Sequence, residues 1–154
     1  MITTTTAKVV LAPRERQVLQ GLAAGNTMAV VALDLKIRHG TAEGYLKLAK
    51  NKLHVSETVS AVTVGYATEA IQRPPLLNSE ALFLPREQRD LVPLVAQGMA
   101  ATQMAVELGR PVTDVRKDGR ELLLSLQARS RAHLITRAWQ FRVLTAGQVI
   151  AWLH

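Results

Sequence analysis

Residues 27–53 decide the fold, and they read TMAVVALDLKIRHGTAEGYLKLAKNKL. The apolar residues from Thr27 to Leu35 predict a short helix. A break at Lys36 to Gly40 follows, after which Thr41 is the predicted N-cap of the next helix. The inner face of that helix is predicted to contain Ala42, Leu46, Ala49 and Leu53. The stretch therefore predicts a helix, a brief turn and a second helix whose outer face is basic.

Two further helices are predicted on either side of this pair. Pro13 suits the first turn of a helix that ends at Gly25. Ser56 is the predicted cap of a fourth helix that reaches about Ile71. Residues 11–71 are thus expected to form a unit of four helices.

The same pattern occurs a second time. A shift of 73 residues aligns the two copies without a gap. Identical pairs include Leu11 and Leu84, Arg16 and Arg89, Ala23 and Ala96, Gly25 and Gly98, Ala32 and Ala105, Leu35 and Leu108, and Leu53 and Leu126. The second copy predicts helices from Pro85, from Ala100 to Leu108, from an N-cap at Asp114, and from about Ser130 to Val143. Residues 145–154 begin with a Thr-x-x-Gln capping pattern and predict one more helix.

Consecutive prolines at Pro74 and Pro75 separate the copies, because proline cannot continue a helix. We expect an all-α protein of two tandem four-helix helix-turn-helix modules joined by a short proline-containing linker. The predicted modules are residues 1–72 and residues 82–154, the latter with a C-terminal helical extension, and the linker is residues 73–81.

The length of this linker limits how far apart the two modules can bind. At ~3.1 Å per residue, about ten extended residues reach at most ~31 Å. That reach is close to the ~34 Å between half-sites one turn of DNA apart.

The composition narrows the possible functions. The chain has 154 residues, a net charge of +7, 48% apolar and 4% aromatic residues, and no cysteine. The apolar content argues against disorder, and the lack of cysteine excludes disulfide scaffolds and thiol catalysis. No signal peptide, no stretch of ~20 apolar residues and no catalytic or metal-ligand constellation occurs in the sequence. We therefore expect a cytoplasmic, nucleoid-associated protein that is not an enzyme, needs no cofactor or metal, and binds a polyanion rather than a membrane.

Individual residues of both copies match one known pattern. In the first copy these are residues 11–19, Gly25, Val31, Ala32, residues 35–37, Thr41, Ala42 and residues 52–55; in the second they are residues 84–87, 95–98, Met104, Ala105, Leu108, Gly109, residues 114–117, Leu122, Leu123 and residues 129–132. Both copies resemble the LuxR-type DNA-binding domain of GerE, FixJ and NarL-like regulators. The resemblance implies a four-helix module that contacts DNA through its third helix and often pairs through its fourth. Because the motif begins at Leu11, no input domain is expected ahead of it.

The same resemblance implies which residues contact DNA. The base-facing positions are Glu43, Gly44 and Lys47 in the first copy and Arg116, Lys117 and Arg120 in the second. Arg and Lys donate to guanine O6 and N7, whereas Glu accepts from cytosine N4 and repels phosphates, so the second copy is expected to contact bases better. The remaining candidate DNA contacts are Lys36, Arg38, His39, Thr41, Lys50, Lys52, Arg110, Arg129 and Arg131.

The fourth helices contain more apolar residues than one small core can bury. We predict an interface at Val62, Tyr66, Ile135 and Trp139. It would join the two copies as an internal pseudo-dimer or two chains as a homodimer. The alternative is that residues 145–154 fold back and cover this surface.

One position of the second copy departs from the pattern. Gly119 aligns with the inward-facing Leu46, so it costs helix propensity and leaves a void. We predict that Trp139 or Trp152 fills that void. Pro111 also predicts a distorted turn before the third helix of this copy.

The sequence favours a sequence-specific, duplex-DNA-binding bacterial transcription regulator. The main alternative is a protein-interaction module of degenerate helix-turn-helix copies that binds another regulator, a sigma factor or a polymerase subunit. Glu43, Gly44 and Gly119 favour that alternative. A sigma-like promoter-recognition fragment and a nonspecific chromosome-binding protein are two further readings of the same residues.

Overall fold

The structure is a computed structural model that describes residues 9–153. The described part of the chain is all-helical, as the sequence predicts. Its helices are α1 (Pro13–Ala23), α2 (Met28–Leu35), α3 (His39–Leu53), α4 (Thr58–Ala67), α5 (Arg86–Arg89), α6 (Val92–Ala96), α7 (Ala101–Leu108), α8 (Val112–Ser125), α9 (Arg131–Gln140) and α10 (Ala146–Leu153), with a 3-10 helix at Ser79–Ala81. Residues 1–8 and 154, which belong to the two predicted modules, lie outside the described residues.

Three predicted N-caps are wrong. Helix α3 begins at His39 rather than after Thr41, and α4 begins after Glu57 rather than after Ser56. Helix α8 begins directly after Pro111, whose φ of −58° is already close to the helical value. Asp114 therefore lies inside the first turn of α8, where a carboxylate is stabilised by the positive end of the helix dipole.

Three other caps follow the sequence pattern. The Thr27 hydroxyl accepts from the Val30 N–H, and the Ser130 hydroxyl accepts from the His133 N–H. Thr145 and Gln148 exchange hydrogen bonds at the start of α10. These side chains fix where α2, α9 and α10 begin, since each satisfies an N–H that has no partner within its helix.

The first helix of the second half (residues 82–153) is split into α5 and α6. Pro93 lies in the first turn of α6 and has no N–H to donate to the carbonyl of Arg89. In the first half (residues 9–72), the aligned segment is the single helix α1.

The turns that precede α3 and α8 have the same backbone conformation. Lys36 and Gly109, which align under the 73-residue shift, both adopt the left-handed conformation, with φ of 57° and 62°. The N–H of Ile37 donates to Ala32 and the N–H of Arg110 donates to Ala105, each at 3.0 Å. The predicted distortion at Pro111 is therefore wrong, because proline at an N-cap gives up no helical hydrogen bond.

The two halves share one hydrophobic core, in which α4 packs against α9. Val62 and Ile135 are fully buried, and the rings of Tyr66 and Trp139 lie 5.5 Å apart. Each of these pairs joins positions that align under the 73-residue shift.

Contacts on either side of this centre are reciprocal. A Cβ added to Gly25 would lie 3.0 Å from the His133 ring, and one added to Gly98 would lie 2.8 Å from the Ser60 hydroxyl. Gly25 aligns with Gly98, and Ser60 aligns with His133. Helix α1 likewise packs on α9, and α6 packs on α4. An exchange of equivalent contacts of this kind is what a two-fold symmetric interface produces.

The C-terminal helix and the linker also pack on this centre. Helix α10 packs against α4, with Val149 buried, so α4 is covered by both α9 and α10. In the linker, Leu77 N–H donates to the carbonyl of Gln140 at 2.8 Å, and the Arg73 guanidinium donates to the carbonyl of Tyr66. The linker is thus attached to the ends of α4 and α9.

The prediction that a tryptophan fills the space beside Gly119 is wrong. Trp139 packs on Tyr66 and beneath the Arg73 guanidinium. Neither Trp139 nor Trp152 lines the cavity at Gly119, and a Cβ added there would meet nothing within 4 Å. The Trp139 ring packs against Tyr66 of the other half, so it does not fill the space beside Gly119.

Thr136 links the halves through two hydrogen bonds, and its replacement tests their importance. Its hydroxyl donates to the carbonyl of Ala23 at 2.7 Å, so the Tyr66 hydroxyl donates to Thr136 at 2.8 Å. Thr136→Val leaves both partners buried and unsatisfied, and we expect it to lower the free energy of unfolding by about 1–3 kcal/mol. Chemical denaturation measures this change.

The aligned residue Thr63 provides a matched control. It is equally buried, but its hydroxyl bonds only to the Val59 carbonyl within its own helix. Such back-bonding adds little to helix stability, so Thr63→Val should leave the free energy of unfolding nearly unchanged. Equal losses in the two variants would contradict a specific role for the bonds between the halves.

Candidate nucleic-acid interface

The first candidate surface is the outer face of α3. Its inner face, formed by Ala42, Leu46, Ala49 and Leu53, is buried against the first half, as predicted. The predicted contacts Lys36, Arg38, Thr41, Glu43, Gly44, Lys47 and Lys52 are exposed, and Lys50 is half-buried. Helix α2 and the turn at Lys36 therefore present α3 to solvent along one face, which is the arrangement that a groove-binding helix requires.

The charges on this surface favour binding to the phosphate backbone of a nucleic acid. Helix α3 has three lysines and one carboxylate, Glu43. That carboxylate lies 2.6 Å from His39 Nδ1, one turn earlier in the helix. Among the described residues, no carboxylate lies within ion-pair distance of Lys47 or Lys50. These two ammonium groups are therefore available to a ligand.

An ion pair between the exposed Lys52 and the buried Glu15 joins α3 to α1. Lys52 Nζ lies 2.7 Å from Glu15 Oε1, and the Glu15 carboxylate also accepts from the Ala12 N–H. Burial raises the pKa of Glu15, but the hydrogen bonds from Lys52 and Ala12 outweigh it, so the pKa lies below its ordinary value. Lys52, predicted to contact DNA, thus also positions the helix, and the part played by Glu15 was missed from the sequence.

The second candidate surface is the outer face of α8. The predicted contacts Arg116, Lys117 and Arg120 are exposed there, like the predicted contacts on α3. Helix α8, however, contains three basic and three acidic residues, so its net charge is zero. Lys117 lies 4.0 Å from Glu121, which leaves Arg116 and Arg120 without an acidic partner among the described residues.

Three arginines predicted to contact phosphates are engaged within the chain. Arg110 pairs with Asp118, a half-buried carboxylate of α8. Arg129 donates to the carbonyl of Ala24 at 3.0 Å, and Arg131 donates to the carbonyl of Met99 at 2.6 Å. The sequence-based choice of these residues considered only their charge. It overlooked partners within the chain, namely the Asp118 carboxylate and the backbone carbonyls of Ala24 and Met99.

The four predicted interface residues lie together. Val62, Tyr66, Ile135 and Trp139 meet between α4 and α9, and all four are buried. The fourth helices are thus in contact within one chain.

Comparison with protein-family models gives a match over residues 9–64, to the family GerE, bacterial regulatory proteins of the luxR family. Residues 9–64 are a LuxR-family helix-turn-helix domain. This LuxR-type domain contains α1, α2, α3 and most of α4. Domains of this family belong to DNA-binding transcription regulators, which are typically not enzymes. No curated protein and no solved structure matches the chain.

No helix between residues 9 and 153 is long and apolar enough to cross a membrane. No group of three or more His, Cys, Asp or Glu side chains in that part of the chain could hold a metal ion.

The Glu15–Lys52 pair predicts a pH-dependent effect on stability. Lys52→Met leaves the buried carboxylate without its strongest partner, so we expect a loss of about 1–3 kcal/mol in the free energy of unfolding at pH 7. Because the pKa of Glu15 is lowered in the folded protein, this stabilisation is complete above the ordinary value of 4.5 and disappears as the pH falls through the lowered pKa. Denaturation at several pH values measures it.

Lys50→Met is the matched control, since Lys50 is on the same helix and has no carboxylate within ion-pair distance among residues 9–153. It should change the free energy of unfolding little at any pH. A Lys52→Met effect that persisted unchanged at low pH would exclude the ion pair as its cause.

Proposed function

We propose that this protein is a sequence-specific, duplex-DNA-binding transcription regulator that inserts α3 into the major groove. The observation that supports this most strongly is the LuxR-family domain at residues 9–64, whose α3 exposes lysines without acidic partners. In this proposal Lys47 contacts a base edge, and Lys36, Arg38 and Lys50 contact phosphates. The protein acts on the nucleoid in the cytoplasm.

We further propose that residues 82–153 are a second helix-turn-helix module and that α8 enters a neighbouring groove. The proposal is supported by the 73-residue repeat and by the matching turns at Lys36 and Gly109. Arg116 and Arg120 are its base-contacting residues. Because α8 has no net charge, we expect this module to add specificity more than overall affinity.

In this proposal, the contact between α4 and α9 replaces a dimer of two chains. The reciprocal packing of Gly25 with His133 and of Gly98 with Ser60 supports an internal pseudo-dimer. The apolar surfaces of α4 and α9 are then buried against each other within one chain. Residues 73–81 serve as the linker between the two modules.

Titration of duplex DNA with fluorescence anisotropy tests the proposal at several salt concentrations. A selected target duplex should bind in preference to unrelated DNA, and log affinity should fall linearly with log salt. Lys47→Ala is expected to lose about 1–3 kcal/mol of binding free energy, which is roughly five- to 150-fold in affinity, and to relax specificity at the base that Lys47 contacts. The double variant Arg116→Ala with Arg120→Ala is expected to lose discrimination between target and unrelated DNA.

Arg86→Ala is the charge-matched control, because Arg86 is exposed on α5 and lies outside α3 and α8. It should bind DNA like the wild type. Absence of DNA binding by the wild type would refute the proposal. It would leave the protein-interaction module, which binds another regulator, a sigma factor or a polymerase subunit, as the remaining candidate.

The internal pseudo-dimer predicts a monomer in solution. Sedimentation equilibrium should give the mass of one chain, 16.9 kDa, at micromolar concentration. Trp139→Ala removes the ring that packs on Tyr66, and we expect it to lower the free energy of unfolding by about 3–5 kcal/mol. A stable dimer of the wild-type chain would contradict this arrangement.

A further inference from the structure

A cavity of about 270 Å³ lies beside α8 in the second half. Its apolar lining includes the partly exposed Ala101 and Leu123, beneath which lie the buried side chains of Met104, Val115, Leu122 and Leu134. A cavity lined by apolar side chains with a few polar groups is the usual form of a small-molecule site. Its volume exceeds the roughly 150 Å³ of an engineered protein cavity that binds benzene.

Gly119 lines this cavity at a position where the first half has a large side chain. Leu46 is buried at the aligned position of the first half, whereas Gly119 has no side chain to place there. Gly119 adopts ordinary helical backbone within α8, so no backbone strain requires glycine at this position. A mid-helix glycine costs about 1 kcal/mol relative to alanine, and here a Cβ would meet nothing within 4 Å.

Three arginines at the cavity give it a definite charge. Arg116 and Arg120 come from α8, and Arg131 comes from α9. Arg131 donates to the carbonyl of Met99, which leaves further N–H groups of its guanidinium for a ligand. The aligned residues of the first half are Glu43, Lys47 and Thr58, so this combination of arginines and void occurs only in the second half.

We propose that this cavity binds a small amphipathic carboxylate, whose aromatic or short aliphatic body fills the space beside Gly119. Its carboxylate is bound by Arg116, Arg120 and Arg131, because guanidinium groups bind carboxylates through paired hydrogen bonds. The apolar walls bind the body of the ligand, and the arginines select for the anion.

The regulatory role of this cavity rests on the proposed function. Arg116 and Arg120 belong both to the cavity and to the proposed DNA surface of α8. A bound anion engages them and lowers the affinity of this surface for DNA. By linkage, DNA lowers the affinity of the anion by the same factor. The cavity is thus an effector site within the DNA-binding module itself.

Binding is tested first on the full chain without DNA, with anilinonaphthalene sulfonate as a fluorescent anionic probe. The wild type should bind one probe per chain, and Gly119→Leu should weaken binding at least tenfold because the leucine fills the cavity. Gly40→Leu is the control, since Gly40 is also in a helix with nothing within 4 Å of an added Cβ, and it should bind the probe as the wild type does. Equal affinity for wild type and Gly119→Leu, or equal loss in both leucine variants, would overturn the proposal.

A second measurement does not depend on the folding of any variant. In wild-type protein labelled at the methionine methyl groups, the probe should shift the resonance of Met104 and leave that of Met28, in the first half, unchanged. A shift at Met28 without one at Met104 would place the probe elsewhere and overturn the site.

The charge preference has its own test. Phenylnaphthylamine has nearly the same apolar body without the sulfonate, and it should bind more weakly than the anion. Arg131→Gln should reduce the affinity for the anion several-fold and leave that for the neutral probe nearly unchanged. If both probes bind equally well, the assignment to anions is wrong.

The DNA experiment separates the two proposals. The probe should weaken binding of duplex DNA to the wild type at least fivefold, and it should have no such effect on Gly119→Leu. Saturable binding of the probe with no DNA binding at all would refute the proposed function and leave the ligand site intact. Binding of both ligands with no mutual effect would refute only the effector role.

Discussion

The contact between α4 and α9 is the constraint on which the rest of this structure depends. Tyr66 and Trp139 occupy aligned positions of the two halves and pack on each other. Around them the halves exchange equivalent contacts, with Gly25 at His133 and Gly98 at Ser60. Glycine is needed at both positions, since each has positive φ and a Cβ at either would lie within 3.0 Å of the opposite half. Single helical units of this size bury too little apolar surface to be very stable, and this contact provides the shared core.

That central packing also determines which surfaces stay available. It buries the apolar fourth helices and leaves α3 and α8 exposed, each preceded by the same left-handed turn. The two exposed helices nevertheless differ in chemistry. Helix α3 has a positive net charge and a fully packed inner face, whereas α8 is neutral overall and has a cavity at Gly119. In the functions proposed above, α3 supplies electrostatic affinity, and α8 supplies selectivity and responds to a small anion.

Much of this fold could be predicted from the sequence, because apolar spacing, Gly25, Pro13 and the paired prolines are local signals with direct physical consequences. The inner faces of α3 and α8 and the meeting of the fourth-helix residues follow from the same periodicity. The caps of α3, α4 and α8 were predicted wrongly, because these helices begin after Arg38, Glu57 and Pro111, none of which caps its helix through a side-chain hydrogen bond. Contacts between residues that are far apart in the sequence could not be predicted from local signals either. Lys52 and Glu15 are 37 residues apart, and Arg129 bonds to a carbonyl 105 residues away. The position of Trp139 was decided by Tyr66 in the other half, so the void at Gly119 was not filled as expected.

We propose that one chain presents two DNA-contacting helices, α3 and α8, through an internal pseudo-dimer. Hydroxyl-radical footprinting on a target duplex, with the number of bound chains determined on the same sample, tests it most directly. We expect one chain per duplex and two protected segments about one helical turn, or ~34 Å, apart. A single protected segment per chain, or two chains on every fully protected site, would contradict it.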